Sequence, residues 1–285
     1  MNIVSLLGLV VQGEVLLLYE YAELGRLSNY LQTHREEWFL NQVDSTGRLL
    51  PLNEDVMERY RQAADRRHPP SDDSVDFDWQ ILSARTLIRF GHHVSRGVQY
   101  LHSCSIVHRD LWAANVLVFD GLVAKISEFG VAKQGAEYVG QDEQEKNFRF
   151  RWMAPESIND RRFSAASDIW SLGVVLWEIF SIGSLPYAIE HSVTCDAATL
   201  TASLKAGLRL QRSETCPSVA YSLIMDCWSW IPEERADAAR LEQVLRWLND
   251  NIREENYLPL DYWYALLDGS QADVPMDEND NISSP

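Results

Sequence analysis

Two apolar runs, Ile3–Val11 and Val15–Tyr21, open the chain on either side of Gln12-Gly13-Glu14. A glycine inside a short polar break permits a tight reversal, so the pattern predicts a β-hairpin. From about His34 to Trp79 periodicity dissolves. The stretch Arg66-Arg67-His68-Pro69-Pro70-Ser71-Asp72-Asp73 is polar and proline-containing, and predicts a loop. Ser83 then precedes Leu87, Phe90, Val94, Val98 and Leu101 at helical spacing, predicting a long amphipathic helix. Val116–Phe119 and Val123–Ile126 flank Asp120-Gly121 and predict a second hairpin. A strongly apolar segment runs from Ser167-Asp168 to Phe180. Its apolar residues lie nearly all round, which marks a buried helix. Further helices are predicted near residues 197–206, 218–228 and 238–248.

Composition narrows the class. The 285 residues are 46% apolar, enough for a sizeable core. A net charge of −17 argues against nucleic acid and anionic membrane as partners. Acidic residues gather at Asp142–Glu145 and in the last residues, where they read as solvated surface. Four cysteines, Cys104, Cys195, Cys216 and Cys227, form no CxxC pair, so no disulfide framework or zinc site is implied. A reducing, cytoplasmic compartment fits. His92 and His93 are adjacent on the predicted helix and point to different faces, which argues against joint metal chelation. The apolar start is broken at Gln12-Gly13-Glu14, so neither a signal peptide nor a membrane span is predicted.

Candidate chemistry begins where the long helix ends. There stands His108-Arg109-Asp110-Leu111-Trp112-Ala113-Ala114-Asn115, followed by the apolar strand Val116–Phe119. Asp110 and Asn115 carry hard oxygens suited to magnesium or to accepting a proton. Taken alone they read equally well as hydrogen-bonding residues of a structured loop. Lys125-Ile126-Ser127-Glu128-Phe129-Gly130 and Ala154-Pro155-Glu156 come next. The three motifs, in this order and near this spacing, resemble the catalytic loop, metal-binding turn and activation-segment end of protein kinases. Trp152-Met153 before Ala154, with Asp226-Cys227-Trp228 and Arg235, resembles tyrosine kinases in particular, and Ser167-Asp168-Ile169-Trp170-Ser171-Leu172-Gly173 is similar to the central helix of a kinase large lobe. The resemblance covers roughly residues 2–33 and 82–250.

The resemblance implies an α+β, protein-kinase-like fold, with a mainly helical large lobe and a truncated β small lobe. Residues 1–33 would be a remnant of small lobe and hinge, and 34–81 a flexible kinase insert. Residues 82–250 would form the large lobe, and 251–285 an acidic, largely disordered tail. Tyr19 would be the gatekeeper, with Glu20, Tyr21 and Ala22 at the adenine edge and Leu117 beneath the base. Asp110 would be the catalytic base, with Asn115 and Glu128 as magnesium ligands. Arg109 would meet a phosphorylated activation loop, with Tyr138 as the acceptor. Asp168 would hold the catalytic-loop backbone, and Glu156 would pair with Arg235. His108, Phe129 and Leu6 would stack between the lobes. Tyr60 lies in the insert as a further candidate acceptor. Tyr257, in Tyr257-Leu258-Pro259-Leu260, reads as an SH2-type docking site or as an aromatic anchor of the tail.

The departures from the family pattern matter for chemistry. No GxGxxG occurs, and no lysine is placed to hold the phosphates, so the chain is expected to be a fragment of a longer kinase. Glu128 replaces the family's aspartate, and its extra methylene displaces its oxygens where magnesium demands near-octahedral geometry. Ala114 replaces an arginine, and Trp112 stands where serine/threonine kinases carry a lysine. A missing charge clamp of this kind costs several kcal/mol of barrier, about 10²-fold or more in rate. The family reaction, ATP-dependent phosphorylation of protein tyrosine with magnesium, is therefore expected to be impaired. The alternative is a non-catalytic, pseudokinase-type binding module that engages a partner kinase. The expected partners are a protein substrate or such a kinase. The expected location is the cytoplasmic side of a single-pass receptor.

Overall fold

The computed structural model describes residues 2–12, 14–37, 39–40, 43–44, 46–48, 82–140, 149–188 and 196–251. Part of the expected insert is described: a helix runs on to Glu37, Val43 is buried and Ser218 N donates to Gly47 O. Tyr60, and the expected tail beyond Asn251 with Tyr257, lie outside the described residues.

The first hairpin pairs β1 (Leu6–Gln12) with β2 (Glu14–Tyr19), antiparallel, from Leu6↔Tyr19 to Gln12↔Glu14. Its register slips between Leu6 and Gly8. Apolar residues on both of its faces remain exposed, including Leu7, Val11, Val15 and Leu16. Leu6 is among them at 54% exposure, so the predicted stacking of Leu6 against His108 and Phe129 is not seen. The alternation that makes a good strand buries one face only when a second layer covers it. Among the described residues no such layer lies over Leu6.

After the hairpin, the chain turns into α1 (Leu27–Glu37), which buries Leu27, Tyr30 and Leu31. The long helix α2 (Ala84–Ser103) starts where the sequence predicts. Ser83 caps it, its hydroxyl accepting from Thr86 N. Leu87, Phe90, Val94 and Val98 are fully buried, each contributing about 1.5–3 kcal/mol of apolar burial. Gly97 is required on this helix. A Cβ there would lie 2.7 Å from Asn2 O and 2.8 Å from Ile126 Cδ1. The helix thereby comes close against the second hairpin, β3 (Val116–Phe119) and β4 (Val123–Ile126). His93 joins the two, its Nδ1 accepting from Ala124 N at 3.2 Å. Burial, aided by the neighbouring Arg89, pushes its pKa down to about 3, so the ring stays neutral and able to accept.

The activation-segment region contributes β5 (Glu137–Val139), α3 (Pro155–Asn159) and β6 (Arg162–Ser164), with β5 and β6 antiparallel. The central helix α4 (Ala165–Phe180) begins two residues before the predicted start, because Ser164 and Ser167 form a reciprocal capping box. Trp170, Leu172, Val174 and Val175 on it are fully buried. α5 (Ala197–Lys205) packs on α3, α6 (Ser218–Asp226) joins α2 against α4, and α7 (Ala238–Asn251) lies along α2. This is the kinase arrangement of a small N-terminal β region and a mainly helical C-terminal portion. Among the described residues no helix is long and apolar enough to cross a membrane.

Candidate active site

The segments on either side of the first hairpin pair with the two strands of the second. Ile3 bridges Ile126, with Val4 N donating to Ile126 O and Ile126 N to Asn2 O. Arg26 bridges Leu117, while Leu24 N donates to Val118 O and Val118 N to Gly25 O. The linker Glu20-Tyr21-Ala22 thus leads directly into Leu24–Arg26, which pairs with the strand that carries Leu117. Glu20 is fixed by its side chain, which takes Ser5 N at 2.7 Å and Lys125 Nζ at 2.6 Å. Burial of this partly covered group works to raise its pKa, but the Lys125 and Ser5 contacts prevail and hold it below the usual carboxylate range. Tyr21 is 79% exposed. Among the described residues, Glu20 O and Ala22 N–H make no hydrogen bond. One free acceptor and one free donor match the amino group and ring nitrogen of adenine.

The catalytic-loop backbone is anchored from below. Asp168, near the start of α4, takes His108 N on Oδ2 at 2.7 Å and Arg109 N on Oδ1 at 2.9 Å. These two bonds stabilise a turn in which Arg109 adopts φ +72°. His108 bridges onward, its Nε2 donating to Ser127 O at 2.9 Å, while Nδ1 accepts from Asp110 N at 3.3 Å. Its ring meets Phe129 edge-on, with centroids 5.1 Å apart.

Asp110 and Asn115 meet directly. Asn115 Nδ2 donates to Asp110 O at 2.7 Å and to Asp110 Oδ2 at 2.9 Å. Both amide hydrogens are thus used, and Asn115 Oδ1 takes no hydrogen bond among the described residues. Ser127 closes the cluster, its N and Oγ both donating to Asn115 O at 2.8 Å. Glu128 follows at once, in the left-handed region at φ 63°, ψ 59°. Such backbone costs a non-glycine residue about 1–2 kcal/mol and marks an over-determined turn. The Glu128 carboxylate is exposed and has no hydrogen bond or ion pair among the described residues. Asn115 Oδ1 and the Glu128 carboxylate are hard oxygens of the kind magnesium takes, and Ser127 links the two residues along the backbone.

One residue of this cluster was not singled out from the sequence. Arg149 Nη1 donates to both Asp110 oxygens at 2.9 Å, and its guanidinium stacks 4.0 Å from the Trp112 ring centre. The cation missing at Ala114 and Trp112 is present, but it comes from 34 residues beyond Asn115. Its sequence signal is the pair of arginines in Phe148-Arg149-Phe150-Arg151, immediately before Trp152-Met153. Trp112 also meets Trp152 edge-on at 5.5 Å.

The remaining candidates fall nearby. Arg109 lies over the Tyr138 ring at 4.3 Å and over Phe163 at 4.6 Å. Arg235 makes a two-pronged pair with Glu156, Nη1 to Oε1 at 2.6 Å and Nη2 to Oε2 at 2.8 Å. Its Nη1 also donates to Ala166 O, which fixes the activation-segment end to α4.

Comparison with known proteins agrees with this geometry. Residues 1–245 match the family described as protein tyrosine and serine/threonine kinase. The chain is 32% identical over 301 residues to vascular endothelial growth factor receptor 1 of Homo sapiens, covering 95% of this chain and 22% of that protein. It is 34% identical over 272 residues to vascular endothelial growth factor receptor 3 of Danio rerio, covering 91% and 19%. It is 31% identical over 284 residues to fibroblast growth factor receptor homolog 1 of Drosophila melanogaster, covering 99% and 35%. The chain thus spans between about a fifth and about a third of the length of these relatives. The chain belongs to the protein tyrosine kinase family, related to the vascular endothelial and fibroblast growth factor receptors.

Proposed function

We propose that this chain handles ATP and magnesium at the Asp110–Asn115–Glu128 cluster, as the lower part of a receptor-type tyrosine kinase site. The observation that carries the reading is the Asn115 amide. It gives both hydrogens to Asp110 and keeps its oxygen free for a cation. Asp110 would accept the proton of a substrate tyrosine as the hydroxyl attacks. Asn115 Oδ1 and Glu128 would hold magnesium, which supplies charge neutralisation on the phosphates. Glu20 O and Ala22 N–H would read adenine, with Leu117 beneath it. Tyr138, over Arg109, is the proposed acceptor of a regulatory phosphate, and Tyr257 the proposed docking tyrosine.

In the same reading, residues 1–33 belong to small lobe and hinge, 34–81 to an insert, 82–250 to the large lobe and 251–285 to a tail. The site would face the cytoplasm beneath a single-pass receptor, with a protein as its substrate. Transfer would be lowered relative to the family because the extra methylene of Glu128 would set its carboxylate about a bond length from ideal magnesium geometry. A second reading, a non-catalytic partner-binding module, draws support from Arg149, which occupies both oxygens of the proposed base.

Thermal unfolding of the full chain with and without ATP and magnesium tests the nucleotide half of this proposal. Ligand at a hundredfold excess over its Kd stabilises by about 2.7 kcal/mol. Wild-type chain should show a magnesium-dependent shift. Ala22→Pro, which deletes the hinge N–H, should abolish it, and Asn115→Ala should remove its dependence on magnesium. Absence of any shift at millimolar ATP and magnesium overturns the nucleotide-handling reading.

A further inference from the structure

The hairpin of β1 and β2 presents two unlike faces. Paired residues of an antiparallel ladder share a face, and the faces alternate along each strand. One face therefore carries the pairs Leu6↔Tyr19, Leu9↔Leu17 and Val11↔Val15. The other carries Gly8↔Leu18 and Val10↔Leu16. The six side chains of the first face are 45–67% exposed. At these exposures they present about 700 Å² per copy, more than the ~300–600 Å² of the largest apolar patch on an ordinary monomer. That area is close to the ~800 Å² that each partner of a standard stable interface buries. The second face has only Val10, Leu16 and Leu18, and Gly8 adds no side chain, so it presents about 300 Å², which an ordinary monomer tolerates.

A two-stranded hairpin is marginal in water until another layer covers it. The layer that fits the first face is flat, apolar and uncharged. Between Leu6 and Tyr19 the only charged residue is Glu14, in a chain of net charge −17. Copies of this chain repel one another elsewhere, and least across this hairpin. A second copy of the hairpin, turned about a two-fold axis, brings the same six residues to the same face. Two sheets so joined pack about 10 Å apart, as the halves of a small sandwich. The hairpin is held at both ends, because Val4 N donates to Ile126 O and Leu24 N to Val118 O. Little order is therefore lost on pairing.

We propose that the face of Leu6, Leu9, Val11, Val15, Leu17 and Tyr19 is a homodimer interface, covered by the same face of a second copy of this chain. This pairing goes beyond the nucleotide reading and does not rest on it.

The test is sedimentation of the full chain without nucleotide, over a series of concentrations. Interfaces of this area bind with micromolar Kd or tighter, so wild type should sediment as a dimer at about 20 μM. Raising salt from about 0.05 to about 0.5 M should tighten the dimer, because it screens the repulsion between acidic copies and leaves the apolar contact. Val11→Lys and Leu17→Thr should each weaken dimerisation about tenfold or more. Both positions are exposed in the single chain, and threonine keeps the strand preference, so circular dichroism should show folded variants. Leu16→Lys, on the opposite face, should change the dimer Kd less than about threefold. A monomer at about 100 μM would overturn the proposal, whether the face stays bare or takes a different polypeptide. So would assembly that grows past the dimer, as pairing through the open strand edges would give. Equal weakening by Leu16→Lys and Val11→Lys would overturn it as well.

Discussion

Replacing Arg149 by alanine removes the cation beside Asp110. The wild-type pair places one nitrogen 2.9 Å from both carboxylate oxygens. The two side chains are 40% and 22% exposed, so water and salt screen much of the attraction. Opposite charges 4 Å apart are worth about 1 kcal/mol in water and about 4 kcal/mol at the effective dielectric of a protein surface. For folding, the lower figure applies, and the variant should lose about 0.5–1 kcal/mol. For transfer, a bound substrate excludes water and the guanidinium faces developing negative charge, so the upper figure is approached. The rate should fall about 10- to 100-fold, with folding nearly unchanged. Steady-state transfer from labelled ATP to a tyrosine polymer, with thermal unfolding as control, reads both. Adding Ala114→Arg to Arg149→Ala should recover much of the loss, since the family's own position then supplies the charge. A faster Arg149→Ala enzyme would refute this reasoning, because it would mean that Arg149 blocks the base.

Glu128→Asp should raise magnesium-dependent transfer about tenfold by shortening the reach to the cation, and an unchanged or lower rate counts against Glu128 as a ligand. Glu156→Gln should cost about 3–5 kcal/mol in chemical denaturation, because it leaves Arg235, whose side chain is 1% exposed, as an uncompensated buried charge; a loss below about 1 kcal/mol would show the pair to be dispensable. Burial holds the Glu178 pKa up at about 7, above its ordinary 4.5, so the folded state retains a proton that the unfolded state releases. Stability should therefore fall as pH rises from about 4.5 to about 7 and then level off. Across that window wild type should lose about 3 kcal/mol relative to Glu178→Gln, and parallel pH profiles of the two would contradict it.

Much of this fold was legible because local chemistry and long-range packing agree. Ser83 before a periodic apolar stripe located the long helix to the residue, and Gly121, at φ +68°, turned the second hairpin where Asp120-Gly121 predicted it. The helix after Ser164 starts earlier than its apolar run suggests, because a capping box is written in serines that carry no hydrophobic signal. The proposed site residues were readable as motifs, since Asp110 and Asn115 are five residues apart on one loop. Arg149 was not, because its role depends on a chain reversal that carries it back to Asp110. Glu178 is a lone carboxylate within the apolar run from Ile169 to Phe180. Its environment comes from Ala113 and Trp152, which no local pattern connects to it. Leu6 failed for the opposite reason: its apolar side chain suggested packing that requires a covering layer.

The most direct measurement is phosphoryl transfer by the purified full chain, with γ-labelled ATP, magnesium and a tyrosine polymer. The account predicts slow, magnesium-dependent labelling of tyrosine that Asp110→Asn abolishes while thermal unfolding stays unchanged. Labelling that survives Asp110→Asn, or its complete absence in wild-type and Glu128→Asp chains alike, would contradict it.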